Sequence, residues 1–126
     1  MIGGRVLDTS ALVAFATETS VYCAALVWTA VKESIVLAVP STAVAEAWTV
    51  LDGDKYPILD VLLSLHVTVI DSLDGERART VGRLGGPQTD AHAIVCARQR
   101  GWPLVTGEST RYRSQGHAGV EIETLP

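Results

Sequence analysis

The sequence predicts one α/β domain in which strands and helices alternate along the whole chain. Its 126 residues match the size of a single domain. Hydrophobic residues make up 48% of the chain and charged residues 19%, which indicates an ordered core. Short apolar runs alternate with stretches of helical length, and this pattern favours a mainly parallel sheet with right-handed crossovers. We therefore expect residues 1–126 to form one three-layer α/β/α domain.

Local signals place the elements of the first half. Residues 35–39 form a β-branched apolar run without alternation, as expected for a strand covered on both faces. Pro40 ends this strand, and Ser41 or Thr42 is suited to begin the helix that follows. Pro57 suits the first position of the next helix.

In the second half, glycine and proline separate the elements. Gly85, Gly86 and Pro87 end one helix, and Gly101 ends the next. The predicted strands span residues 5–7, 35–39, 67–70, 103–106 and 120–124. The predicted helices span residues 10–17, 20–32, 41–51, 57–66, 74–84 and 89–100.

Composition restricts the class of protein. No apolar run reaches the roughly 18 to 20 residues of a membrane span, because Lys32 and Glu33 interrupt the most apolar stretch. The start of the chain lacks a basic, apolar leader, and only Cys23 and Cys96 are present, so we expect a cytoplasmic protein without a disulfide framework. The net charge of −4 is unfavourable for binding nucleic acid unless a bound cation offsets it. The mean hydropathy of +0.27 indicates apolar surface covered by another chain, or an Ala- and Val-rich composition.

Acidic residues recur where the predicted strands end. Asp8 directly follows the first strand, and Glu46 lies one turn into the helix after the second strand. Asp90 opens the helix that leads to the fourth strand, and Glu108 follows that strand. Ligands of such sheets bind beyond the carboxyl ends of the strands, and hard divalent cations prefer oxygen ligands. Carboxylates that converge without a counter-ion repel one another, so the pattern predicts a Mg²⁺ (or Mn²⁺) site.

Each acid also has a structural interpretation. Asp8 can cap a helix, and Asp90 can stabilise a helix dipole. Glu46 can be the solvated position of an apolar helix, and Glu108 a loop residue. The four together favour a common site over four separate structural roles.

The ordered set of motifs resembles the PIN-domain family, and within it the VapC-type toxins of bacterial toxin–antitoxin pairs. The similarity spans essentially the whole chain. The motifs are VLDTSAL at residues 6–12, a Ser-Thr-x-x-x-Glu segment ending at Glu46, TDAHA at residues 89–93, and LVTGE at residues 104–108.

The resemblance implies a PIN-like sheet of strand order 3-2-1-4-5 and Mg²⁺- or Mn²⁺-dependent endoribonuclease activity on RNA. It also implies a homodimer and an inhibitory VapB-like antitoxin partner. By motif, the catalytic metal ligands are Asp8, Glu46 and Asp90, with Ser10 and Thr106 as polar neighbours.

The chain departs from the family pattern after the fourth strand. Glu108 stands where many members have Asp, and it remains a candidate fourth ligand acting through water. Arg111, before Tyr112, stands where many members have another Asp. Arg111 and Arg113 lie just past the predicted site and are candidates for contacting RNA.

Two other functions remain open at this point. A non-catalytic PIN-like interaction module is favoured by Glu108, Arg111 and the acidic net charge. A phosphotransfer domain with Asp8 as nucleophile is disfavoured, because no second Asp stands two residues later. The spacing of His92 and Cys96 can serve zinc, but without a second ligand pair it favours core packing.

Overall fold

The structure, a computed structural model that describes residues 3–112 and 119–126, contains one five-stranded sheet with helices on both faces. The strands are β1 (Gly4–Leu7), β2 (Val36–Pro40), β3 (Thr68–Asp71), β4 (Leu104–Thr106) and β5 (Ile122–Thr124). The helices are α1 (Thr9–Ala16), α2 (Val21–Glu33), α3 (Ser41–Val50), α4 (Tyr56–Leu63), α5 (Gly75–Leu84) and α6 (Gln88–Arg100). Two 3₁₀ helices cover Gly53–Lys55 and Ser109–Tyr112.

The sheet has strand order β3-β2-β1-β4-β5, and every pairing between these strands is parallel. This confirms the predicted α/β class and strand order. The chain runs outward from β1 to β2 and β3, and then returns across β1 to β4. The connection after β1 therefore leads toward one side of the sheet, and the connection after its neighbour β4 leads toward the other side. The place where two such connections part is a switch point, and ligands of open α/β sheets bind there.

Alternate strand residues face opposite helical layers, because side chains of a strand point to opposite faces. One layer contains α1 to α4, and the other contains α6 with α5 packed on it. The strand residues facing the first layer include Leu7, Leu37, Val39 and Val105. Those facing α6 include Val6, Ala38 and Leu104.

Short polar residues begin several helices. The side chains of Asp8, Ser20 and Asp74 each accept a hydrogen bond from the backbone N–H three residues later, which satisfies a free donor of the first turn. Gly101 ends α6 with a φ of +69°, a left-handed conformation that glycine adopts without a steric penalty.

Some boundaries differ from those predicted. Helix α4 ends at Leu63, three residues before the expected end at residue 66, and the Thr68 hydroxyl donates to the carbonyl of Leu62 as the chain turns into β3. Strand β5 begins at Ile122, later than predicted. Within the described ranges no single helix is long and apolar enough to cross a bilayer, and α1 with α2 reaches that length only as a pair bent by 95°.

Candidate metal centre

Asp8 lies at the carboxyl end of the central strand and is held by three donors. Its Oδ1 accepts from the Ser10 hydroxyl at 2.8 Å and from the Ala11 backbone N–H at 3.0 Å. Its Oδ2 accepts from the hydroxyl of Tyr112. Asp8 is only 2% exposed, so these bonds fix the carboxylate in one orientation. Asp8 is therefore a helix cap, and it also lies at the carboxyl edge of the sheet where the sequence predicts Glu46, Asp90 and Glu108. We call this group of four acids the acidic edge. The two interpretations of Asp8 are compatible.

Ser10 and Thr106 connect this carboxylate to the end of β4. Their hydroxyl oxygens lie 3.1 Å apart. The Ser10 hydroxyl also accepts from the Gly107 N–H at 2.8 Å, and the Thr106 hydroxyl accepts from the Glu108 N–H at 2.9 Å. The two predicted polar neighbours thus hold the start of α1 against the turn after β4. This turn places Glu108 at the same edge as Asp8.

Asp90 and Glu46 reach the same edge from α6 and α3. Asp90 is buried in the first turn of α6. Burial raises the pKa of the Asp90 carboxyl above its ordinary value, and the negative charges of Glu46 and Asp8 raise it further, while Arg111 opposes them. Because Glu46 and Asp8 act on Asp90 in this way, the three predicted ligands share one electrostatic environment.

Arg111 lies among these acids. Its Nε is 2.9 Å from Asp90 Oδ1, its Nη1 is 3.4 Å from Glu108 Oε2, and its Nη2 is 3.8 Å from Glu46 Oε1. The sequence made Arg111 a candidate for RNA contact, and that role stays a prediction; in the structure its guanidinium lies against the carboxylates. Arg113, the other candidate for RNA contact, lies outside the described residues.

Tyr112 is a site residue that the sequence did not reveal. Its ring is buried against α6 and the sheet, and its hydroxyl donates to Asp8. Burial and the adjacent charge of Asp8 raise the pKa of Tyr112 far above its ordinary value, so the phenol keeps its proton. The only sequence signal was an aromatic residue just after the strand-end motif.

The donor set fits a hard divalent cation in chemistry and charge. Four carboxylates and one guanidinium leave a formal charge of −3 at this edge. The Thr9 hydroxyl, next to Asp8, is buried without a hydrogen-bond partner in the described part of the chain. An open cleft of about 390 Å³ adjoins the acids and is lined by residues that include Thr9, Ser10, Glu46 and Glu108. However, no group of three or more acidic, His or Cys side chains within residues 3–112 and 119–126 is already arranged around a metal position.

A second polar cluster surrounds Asp71 at the end of β3, and the sequence did not reveal it. The buried Asp71 carboxylate accepts from Arg77 Nε at 3.0 Å, from His92 Nε2 at 2.9 Å and from Arg100 Nη2 at 3.2 Å. His92 Nδ1 lies 2.8 Å from the Thr42 hydroxyl. The only available signal was an acid directly after the apolar residues of a short strand, the same pattern that marks Asp8.

The cations around Asp71 give this cluster a different character from the acidic edge. Burial by itself raises the pKa of Asp71, but hydrogen bonds from His92, Arg77 and Arg100 outweigh it and lower the pKa below its ordinary value. His92 and Cys96 are both fully buried, as the interpretation of core packing predicted. The cluster therefore joins β3, α3, α5 and α6 as a structural ion pair.

Known structures resemble this chain in fold. No family model matches the sequence, and no curated protein matches it. VapBC2 from Rickettsia felis, crystallised with a DNA fragment from its promoter, aligns with a TM-score of 0.73 and 15% identity, covering 98% of this chain and 99% of that chain. PAE2754 from Pyrobaculum aerophilum aligns with a TM-score of 0.56 and 23% identity, covering 82% of this chain and 74% of that chain. Together with the strand order, these similarities show that the chain has a PIN-like fold.

Proposed function

We propose that the protein is a Mg²⁺- or Mn²⁺-dependent endoribonuclease that hydrolyses RNA phosphodiester bonds. The proposal is supported by one observation: Asp90, Glu108 and Glu46, which are distant in sequence, lie within 3.8 Å of the Arg111 guanidinium at the carboxyl edge of a PIN-like sheet, and Asp8 is near enough to help raise the pKa of Asp90. Arg111 offsets only one of the four negative charges, so the remaining charge favours a divalent cation, which a nuclease would use on the phosphate.

In this mechanism the chain contributes positioned oxygen ligands. Asp8 and Asp90 are the buried pair and would hold the ion directly, while Glu46 and Glu108 would bind through water. A bound divalent ion supplies an activated water and stabilises negative charge on the phosphoryl oxygens and the leaving 3′ oxygen. Ser10 and Tyr112 keep Asp8 in one orientation through their hydrogen bonds. The carboxylates of Glu46 and Glu108 line the cleft, where they can orient water by accepting its hydrogen bonds.

Asp8→Asn is the test with the best-matched control. Asn also caps helices, so the variant keeps the shape and the start of α1 while it removes the charge. We expect cleavage of total RNA in Mn²⁺ to fall by at least about 100-fold, more than changes outside the ligand shell cost. Asp74→Asn makes the same change at the exposed cap of α5, a residue that does not line the cleft beside Glu46 and Glu108, and should cleave like the wild type.

RNA cleavage by each protein is measured in parallel reactions that contain either Mn²⁺ or EDTA. Circular dichroism checks that both variants are folded. A folded Asp8→Asn protein that cuts RNA as fast as the wild type would show the assignment to be wrong. Cleavage that persists in EDTA would also be incompatible with a metal-dependent reaction.

We further propose that the protein is the toxin of a VapBC-type pair, acting in the cytoplasm, with a homodimer and a VapB-like antitoxin as its assemblies. The structural similarity to VapBC2 supports this proposal. So does the apolar surface of α2, where Val21 is 89% and Trp28 is 72% exposed. Light scattering would test for the dimer, and co-purification with the product of a neighbouring reading frame would test for the antitoxin.

The second candidate function is a non-catalytic PIN-like interaction module. The observation that favours it is Arg111, because its guanidinium already balances part of the acidic charge. Calorimetry with Mn²⁺ separates the two functions. The absence of binding heat, together with a melting temperature that EDTA does not change, would favour the module.

A further inference from the structure

The backbone at Arg111 is anchored by its own hydrogen bond and by the residue that follows it. Its backbone N–H donates to the Glu108 carbonyl at 3.0 Å within the 3₁₀ helix Ser109–Tyr112. The next residue, Tyr112, is buried in the core and bonded to Asp8. These two anchors fix the point at which the Arg111 side chain leaves the backbone. The contacts with Asp90, Glu108 and Glu46 then hold the guanidinium at the end of this flexible side chain.

The guanidinium directs a separate nitrogen toward each of three carboxylates. Asp90 is the nearest, at 2.9 Å, and it is also the most buried of the three. Glu108 and Glu46 follow at 3.4 Å and 3.8 Å. A planar guanidinium with several N–H donors suits this arrangement better than the single ammonium of lysine. Asp8, by contrast, has both oxygens engaged by Ser10, Ala11 and Tyr112.

We propose that Arg111 is an internal counter-ion that competes with the divalent cation for Asp90, Glu46 and Glu108, and thereby sets the metal affinity of the site. The proposal rests on the proposed function, because it concerns the same carboxylates. A divalent cation held by Asp90 would compete with Nε of Arg111 for that carboxylate, because like charges at so short a distance repel. Arg111 therefore stabilises the metal-free protein at the expense of metal binding.

This competition predicts opposite effects of one substitution in two measurements. Arg111→Gln keeps a polar side chain of similar reach but removes the charge. Without metal, the variant leaves three carboxylates unbalanced, so its melting temperature in EDTA should fall below that of the wild type. With metal, no ion pair has to be broken, so the Mn²⁺ dissociation constant should fall by about tenfold, within the usual range of coupling between two sites.

The experiment measures Mn²⁺ binding to the full chain by calorimetry, and melting in EDTA by circular dichroism. Arg79→Gln is the matched control, since Arg79 lies exposed on α5 and its change should alter neither quantity. Arg111→Lys keeps the charge, but a single ammonium cannot meet three carboxylates, so its Mn²⁺ affinity should lie between those of the wild type and Arg111→Gln. Arg111→Lys also replaces Arg111→Gln as the test if the glutamine variant does not fold. In that case, a Mn²⁺ affinity of Arg111→Lys no tighter than that of the wild type would refute the proposal.

The possible results separate this inference from the proposed function. Tighter Mn²⁺ binding combined with a lower melting temperature in EDTA supports the competition. If the wild type binds Mn²⁺ and cleaves RNA, but Arg111→Gln binds Mn²⁺ equally or more weakly, the competition is wrong and the nuclease stands. If neither protein binds Mn²⁺, both proposals fail. If both bind Mn²⁺ as expected of competition but the wild type does not cleave RNA, only the nuclease fails.

Discussion

Replacing Asp71 by Asn tests whether the ion pair at the end of β3 stabilises the fold. The substitution preserves the shape of the side chain but removes the negative charge that Arg77, Arg100 and His92 face. Because an ionised carboxylate only accepts hydrogen bonds, His92 Nε2 donates to Asp71, and a neutral ring then accepts from Thr42 at Nδ1. An amide at residue 71 can accept at one oxygen only, and its NH₂ group faces donors.

The expected loss in the free energy of unfolding depends on how deeply the side chains around Asp71 are buried. Removing one partner of a fully buried ion pair costs about 3–5 kcal/mol. The arginine side chains are 20% and 28% exposed, so solvent screens part of that interaction, and we expect a loss of about 2–3 kcal/mol in the free energy of unfolding. For a domain of this size, that loss lowers the melting temperature by roughly 10 °C.

Urea and thermal denaturation at pH 7 provide the measurement, with Asp60→Asn as control. Asp60 is exposed on α4, so the same chemical change there should alter stability by less than about 0.5 kcal/mol. If Asp71→Asn matches this control, the cluster contributes nothing to stability and the reasoning is refuted.

The same variant also tests how the stability contributed by Asp71 changes with pH, and in which direction. The folded pKa of Asp71 lies below its ordinary value of 3.8, so the folded state favours the charged carboxylate. The stabilisation is therefore complete above that ordinary value and is lost as the pH falls through the lower folded pKa. We expect the difference between wild type and Asp71→Asn to stay constant from pH 7 to about pH 5, and to shrink below about pH 4. A difference that grows on acidification would contradict the assigned sign.

The remaining predictions concern packing and the orientation of Asp8. Tyr112→Phe keeps the buried ring but removes the hydroxyl that donates to Asp8, so the free energy of unfolding in urea should fall by about 1.5–3 kcal/mol. An unchanged denaturation midpoint would show that this hydrogen bond does not stabilise the fold. Gly4→Ala places a methyl group against the Trp102 ring and should cost about 1–3 kcal/mol by overpacking, whereas Gly3→Ala, with open space around the new Cβ, should be nearly neutral. Equal melting temperatures for the two alanine variants would contradict that close contact.

Much of the fold could be predicted because its signals are local. The β-branched run at residues 35–39 and the proline after it specify a buried strand and its end. Glycine in the left-handed conformation at residue 101 specifies the end of α6. Asp8 and Glu108 could be assigned to one edge because parallel strands bring their carboxyl ends together. The 3₁₀ helix Ser109–Tyr112 was not predicted, since it has no regular apolar period.

The sequence by itself determined the alternation of elements, the strand order through its family resemblance, and the acids that end the strands. Only the tertiary structure decided the partners of Arg111, Tyr112 and Asp71. A charged or phenolic side chain at the end of a strand or in a short 3₁₀ helix suits solvent as well as a buried partner, and nothing in the local sequence distinguishes the two environments. The bond from Tyr112 to Asp8 joins residues 104 positions apart, so it exists only after the sheet has brought the two ends of the chain together.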